Sequence, residues 1–327
     1  VRILITGAGG FAGRHLAEYL SAHVPDAALY GTTVNATSDA FPVGVMPHTV
    51  DLRDPAATRD LIASLHPTQI YHLAGSALVR NSFDTAWETL ETNLRATLNV
   101  IQACIDAEIA PRVLVVTSGD IYGELPANDN DSENQACADE SASLNPTSPY
   151  AVSKIAQDFL IVPYVRRYGL PIIRARAFNH IGRGQRIGFA IPDFASKIAM
   201  IEQELIEPIL TCKNIQAERD FTDVRDMVRA YALLMERGIA GETYNIATGR
   251  LVPLRTVLDI LIANSTYSGR IEIQPSGDQR VDRLCGDPSK LRALTGWTPE
   301  IALEVTLRDV LDDWRTRVAA ELRTNRT

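Results

Sequence analysis

The chain is predicted to be an α/β protein, a doubly wound parallel sheet with a smaller C-terminal α/β lobe. Apolar runs near 1–5, 28–33, 69–73, 112–116 and 171–175 alternate with stretches of helical periodicity. That alternation is the pattern of a parallel sheet covered by helices on both faces. The first run passes straight into a glycine-rich turn and then a helical stripe, and beyond about residue 175 the alternation loosens. A length of 327 residues accommodates one large domain, expected over 1–175, and a smaller lobe over 176–327 from which some segments return to the sheet.

Val1–Ile5 reads as a short buried strand, Thr6–Gly13 as a tight turn, and Leu16 and Leu20 as the apolar face of the first helix. Strand, glycine turn and helix in this order form the dinucleotide-binding context. The glycines let backbone N–H groups approach a pyrophosphate at the positive end of the helix. Two spacings are available, Gly7-x-Gly9-x-x-Ala12 and Gly7-x-x-Gly10-x-x-Gly13. After the second apolar run, Tyr30–Val34 and Asn35 present no carboxylate where a ribose-binding acid is expected. Arg14 could pair with a 2′-phosphate, so NADP is favoured slightly over NAD.

Ser148-Pro149-Tyr150-Ala151-Val152-Ser153-Lys154 begins the helix before the fifth strand. Ser148 can cap it and Pro149 can take its first position, so Tyr150 and Lys154 fall on one face a turn apart. A lysine ammonium beside a phenol favours the phenolate, which suits a Tyr/Lys pair to proton transfer at a carbonyl. The stretch from Gly123 to Ser148 is rich in Asn, Asp, Ser and Pro and reads as a long loop near the site. Past residue 175, a helix near 191–205, another after Asp223, a strand near 242–246 and a helix near 303–322 are expected to build the lobe over the sheet's carboxyl edge.

The formal net charge of −8 and the lack of a basic run argue against nucleic-acid or membrane-surface partners. Cys104, Cys137, Cys212 and Cys285 have no metal-site spacing and read as reduced thiols. No metal is expected. With no signal peptide and no apolar run of about 20 residues, a cytoplasmic protein is the simplest expectation.

Taken together, the turn at Gly7, Gly10, Phe11, Ala12 and Gly13, the run Asp51-Leu52-Arg53-Asp54, the run His72-Leu73-Ala74-Gly75, Asn93, Val113–Ser118 and the Tyr150/Lys154 pair resemble the extended short-chain dehydrogenase/reductases. The resemblance implies a Rossmann domain with cofactor contacts at those glycine-turn residues, Arg14, Asp51, Leu52, Leu73, Ala74, Gly75, Asn93, Thr117, Tyr150 and Lys154. It also implies Tyr150 as acid, Lys154 as its tuner and Ser118 as donor to the reacting oxygen. Arg176–Gln185, Arg219–Asp226, Gly286–Leu291 and Thr295-Gly296-Trp297 are similar to the nucleotide-sugar branch, and among its members to GDP-6-deoxy-4-keto-mannose reductases. That likeness implies a GDP-sugar substrate contacted by Ser82, Asn179, Arg219 and Arg280, with Arg283 a further candidate, and a homodimer; His180 reads as a structural imidazole at the edge of the core.

GDP-mannose 4,6-dehydratase is the main alternative, followed by a UDP-sugar 4-epimerase and, in another class, a non-catalytic redox sensor. In Thr117-Ser118-Gly119-Asp120-Ile121-Tyr122-Gly123, Asp120 stands where the dehydratases carry a glutamate base, and is one methylene shorter. Gly119 stands where a side chain could help protonate a leaving group, and paired arginines are missing near Val34-Asn35. These departures favour the reductase.

Overall fold

The computed structural model describes residues 1–34, 41–125 and 137–324. The central sheet is built from β1 (Arg2–Thr6), β2 (Ala28–Thr33), β3 (Val45–Thr49), β4 (Gln69–His72), β5 (Arg112–Ser118), β6 (Ile172–Ala177) and, after the short strands β7 (Asn179–Ile181), β8 (Ile209–Cys212), β9 (Glu218–Arg219) and β10 (Phe221–Asp223), β11 (Thr243–Ile246). Its order is β11-β6-β5-β4-β1-β2-β3 with every pairing parallel. Ile3, Leu4 and Ile5 are buried to within 1% of fully, as a strand covered on both faces requires. The helices that cover it are α1 (Phe11–His23), α2 (Pro55–Leu65), α3 (Ala86–Asp106) and α4 (Pro149–Tyr168), joined, after α5 (Ala190–Glu202), by α6 (Val224–Arg237).

One face of the sheet packs on α1 and α6 through Leu16, Leu20, Met227, Tyr231 and Leu234. The other packs on α2, α3 and α4 through Ile62, Val100, Ile101 and Ile161. A separate core of Phe194, Ile198, Val257, Leu261, Leu307 and Leu311 joins α5 to α7 (Leu254–Ala263) and, after α8 (Ser289–Thr295), to α9 (Leu303–Thr324). The strand near 242–246 therefore extends the sheet, where it pairs with β6. It is not a piece of the lobe. Strand β3, absent from the runs expected above, lies at the sheet's outer edge, where Pro47 needs no ladder partner on its free side.

Helix α4 starts as its sequence implies. Ser148 Oγ accepts the Ala151 N–H, Pro149 takes the first position, and Gly169 closes the helix at φ 65°. Tyr150, Lys154 and Asp158 then lie one turn apart on a stripe facing the sheet, and all are buried.

The thiol expectation is corrected at two positions. Cys137 and Cys285, 148 residues apart, form a disulfide with Cα atoms 4.6 Å apart, whereas Cys104 and Cys212 are free and buried. The pairing follows from a bridge between Ala138 and Gly286, a contact that sequence spacing does not reveal. Of the loop between Gly123 and Ser148, residues 126–136 lie outside the described residues, as does Asn35. Its described part is strapped to the end of the sheet, with Glu140 Oε1 accepting the Asn245 N–H at 2.7 Å. Among the described residues no helix is long and apolar enough to cross a membrane.

Candidate active site

A cleft of about 1640 Å³ lies between the carboxyl ends of β1, β4, β5 and β6 and the lobe. The turn after β1 lines it with Gly7, Gly10, Phe11, Ala12, Gly13 and Arg14. Gly7 has φ +71°, and a Cβ there would lie 3.0 Å from the Ala74 backbone. At Gly13 a Cβ would sit 2.2 Å from the Gly7 carbonyl oxygen, so helix and turn can approach this closely only through glycine. The α1 N-cap, Gly10, has no side chain to cap the helix. The first-turn N–H groups are thus left for an anion such as a pyrophosphate. Gly13→Ala forces this backbone apart at an overpacking cost of about 1–3 kcal/mol. The expected result is binding of a reduced nicotinamide dinucleotide weakened roughly 10- to 100-fold, read by fluorescence titration; unchanged affinity would remove the turn from the binding site.

Asp51, Leu52, Leu73, Ala74, Gly75 and Thr117 continue the lining. Arg53, which the sequence reading left without a role, lies with Thr32, Thr33 and Val34 at the same end of the cleft. It grips Asp51 through two nitrogens, at 3.0 and 2.7 Å, and this hydrogen bonding holds the Asp51 carboxyl below its usual range. Asn93 is not among the residues that line the cleft. It sits behind the floor, where its Oδ1 accepts the Ser76 N–H at 2.8 Å and its Nδ2 donates to Ser153 Oγ at 2.7 Å.

At the end of β5, Ser118, Asp120, Tyr150 and Lys154 converge on the cleft. Ser118 Oγ accepts the Asp120 N–H at 3.1 Å and lies 3.2 Å from Asp120 Oδ2. Burial raises the Asp120 carboxyl, with a hydrogen bond from Ser118 and the Arg219 charge opposing. The Lys154 ammonium lies 5.9 Å from the Tyr150 ring centroid and donates to Val116 O at 3.1 Å and Gln157 Oε1 at 2.8 Å. Burial lowers its pKa to about 8. The Tyr150 phenol moves opposite to the sequence expectation. Burial, and then the Asp120 charge, raise it, while a hydrogen bond with Ser118 pulls the other way. In the protein alone Tyr150 is a phenol, because desolvation of the phenolate and the Asp120 charge outweigh the Ser118 hydrogen bond.

The lobe-side wall carries Asn179, Arg186, Lys197, Lys213, Arg219 and Arg317. Arg219 is paired with Asp282, which also lines the cleft. Ser82 and Arg280 are not among the lining residues. Ser82 is buried in a short turn, where its hydroxyl donates to Val79 O at 2.6 Å and accepts the Tyr150 N–H at 3.2 Å. Arg280 is exposed and pairs with Glu124 at 2.6 Å; Arg283 is taken up by Glu218. His180 stacks on Phe11 with centroids 5.8 Å apart, and Nδ1 binds Phe178 O. On α6, Tyr231 also lines the cleft, and its buried hydroxyl has no hydrogen-bond partner among the described residues. Such an orphaned group, with a glycine cradle and a Ser/Tyr/Lys set at one edge, fits a dinucleotide ending at Tyr150.

A doubly wound sheet with this turn and this set of side chains at its carboxyl edge defines an extended short-chain dehydrogenase/reductase. Residues 4–310 match the family described as GDP-mannose 4,6 dehydratase, and the chain belongs to that family. It is similar to the GDP-6-deoxy-D-mannose reductase of Pseudomonas aeruginosa, at 35% identity over 98% of this chain and 99% of that one. The structure of RMD from Pseudomonas aeruginosa complexed with NADPH matches with a TM-score of 0.82 and 33% identity, over 97% and 99% of the two chains. A Thermus thermophilus UDP-glucose 4-epimerase complexed with NAD matches with a TM-score of 0.83 and 28% identity, over 96% and 99%.

Proposed function

We propose that the protein reduces the C4 ketone of GDP-4-keto-6-deoxy-mannose to a GDP-6-deoxyhexose, using NADPH in preference to NADH. A reduced nicotinamide supplies the hydride. Tyr150, a phenol in the protein alone, donates the proton to the C4 oxygen, Ser118 donates a hydrogen bond to that oxygen as charge develops, and Lys154 stabilises the tyrosinate left behind. The cations on the lobe-side wall, Arg186, Lys197, Lys213 and Arg219, suit a diphosphate. Arg14 and Arg53 stand at the ribose end, which supports the NADPH preference. Trp87, Phe83, Val152 and Phe159 are exposed on the outer face of α3, the turn before it and α4, and this apolar strip supports the homodimer.

The observation that carries the reductase over the dehydratase is the space at residue 119. A Cβ on Gly119 would lie 2.8 Å from the Phe178 ring, which is buried and stacked on Tyr122. No side chain fits there to protonate a leaving hydroxyl, and Asp120 is turned to Ser118. The test gives the purified protein the keto sugar with NADPH and then with NADH, following loss of the reduced cofactor, and separately GDP-mannose with NADP⁺. Stoichiometric loss, faster with NADPH, is the expected result. Conversion of GDP-mannose without loss on the ketone would establish the dehydratase instead.

A further inference from the structure

Lys154 is held by a buried chain of hydrogen bonds whose every proton can be assigned. The Thr97 hydroxyl donates to Asn93 O at 2.8 Å, so its oxygen can only accept from its two other partners. It accepts from Gln157 Nε2 at 2.8 Å and from His72 Nε2 at 2.9 Å. The imidazole therefore carries its proton on Nε2, and Nδ1 accepts from the Thr6 hydroxyl at 2.8 Å. Thr6 Oγ1 in turn accepts the Ala74 N–H at 3.2 Å. One consequence is local. With its amide nitrogen committed to Thr97, Gln157 must present Oε1 to Lys154, which has only donors to offer.

Gln157 and Thr97 are fully buried and absent from the lining of the cleft, so neither touches a bound molecule. We propose that Gln157 is a positioning residue, fixing the Lys154 ammonium beside Tyr150 through a relay anchored at Thr6 and Ala74 of the cofactor-turn floor. This rests on the reductase reading for its catalytic meaning. Two of the three Lys154 donors are spent on Val116 O and Gln157 Oε1, which leaves one for a cofactor ribose hydroxyl.

The titratable groups around Lys154 are limited. Tyr150 precedes it on α4, and Asp158 follows it one turn on with its charge taken up by Arg174 and Arg176 of β6. Burial keeps His72 of β4 neutral, Asp120 lies on the turn after β5, and α3 contributes only neutral Asn93 and Thr97. An amide oxygen on the ammonium favours the charged form. Removing it should lower the Lys154 titration, and a carboxylate in its place should raise it.

The chain has four lysines, Lys154, Lys197, Lys213 and Lys290, so ¹³Cε-lysine labelling gives four NMR signals that can be titrated without any sugar substrate. The wild-type Lys154 signal should titrate near pH 8. In Gln157→Leu its midpoint should fall by about one pH unit, and in Gln157→Glu rise by about as much or more. The alkaline limb of kcat/KM for NADPH should move the same way in each. Midpoints unchanged in both variants overturn the proposal, as does equal loss of turnover with no movement of the limb. Should the leucine variant not fold, the glutamate variant decides. Failure to reduce the keto sugar would instead count against the reductase reading, because the NMR titration is independent of turnover.

Discussion

Tyr150→Phe should lower the rate of ketone reduction about 10²- to 10⁴-fold, the range supplied by a positioned general acid, while NADPH affinity changes only a few-fold. The hydroxyl is the one atom removed. Tyr150 is otherwise a buried side chain at the start of α4, and Phe keeps its ring and helix position. Lys154 keeps its place, because its ammonium is held by Val116 O and Gln157 Oε1. Ser118 remains to polarise the carbonyl, so residual activity should be small and measurable. Single-turnover rates with saturating NADPH separate the chemical step from binding. A variant keeping more than about a tenth of the rate would remove Tyr150 from the role of acid, since general acids contribute at least about 100-fold.

The second large effect concerns the fold. Asp158, fully buried on α4, accepts from Arg174 at 2.7 Å and from Arg176 at 3.0 Å. Arg176 also donates to the Tyr122 hydroxyl at 2.7 Å, and that hydroxyl donates to Asn245 at 2.8 Å. Asp158→Ala leaves two guanidinium groups, 13% and 5% exposed, without the carboxylate they share. Removing one partner of such a buried pair is expected to destabilise by about 3–5 kcal/mol, a fall in Tm of roughly 4–7 °C for a protein of this size. Asp158→Asn keeps an acceptor and should lie between. Thermal unfolding followed by circular dichroism measures both, and a Tm within about 2 °C of wild type for the alanine variant would show that the arginines find other partners.

The parts of the site written in consecutive residues were legible. The glycine turn and the Tyr150/Lys154 spacing are local geometry, and chain order was enough to bring Asp51, Thr117, Ser118 and Asp120 to the same cleft. Depth was not legible. Asn93 and Ser82 stand one layer behind the cleft wall, binding backbone that lines it or carries its side chains, and order along the chain does not separate a wall from its support. Arg280 and Arg219 read alike as basic residues, yet only Arg219 reaches the cleft, because β9 brings it there. Gln157 gave no signal at all, since a neutral amide one turn from Lys154 looks like any helix residue. Tyr231, Arg53 and the Cys137–Cys285 pair become meaningful only when distant segments meet. The direction of the Tyr150 shift was misjudged for a related reason, as burial is a property of the whole fold.

The last strand of the sheet, β11, enters after β7 to β10 have already been laid down elsewhere, and α6 covers the face that β5 and β6 would otherwise expose. A gene fragment ending near residue 175 would thus encode a sheet with an unpaired edge and an uncovered apolar face. Nucleotide-sugar specificity in this chain cannot be exchanged by swapping its C-terminal half as a cassette. A graft would have to keep 224–246 from the recipient, together with Leu291 and Trp297 that pack in the same core, so any lineage that acquired a new sugar by recombination would need at least three crossovers rather than one.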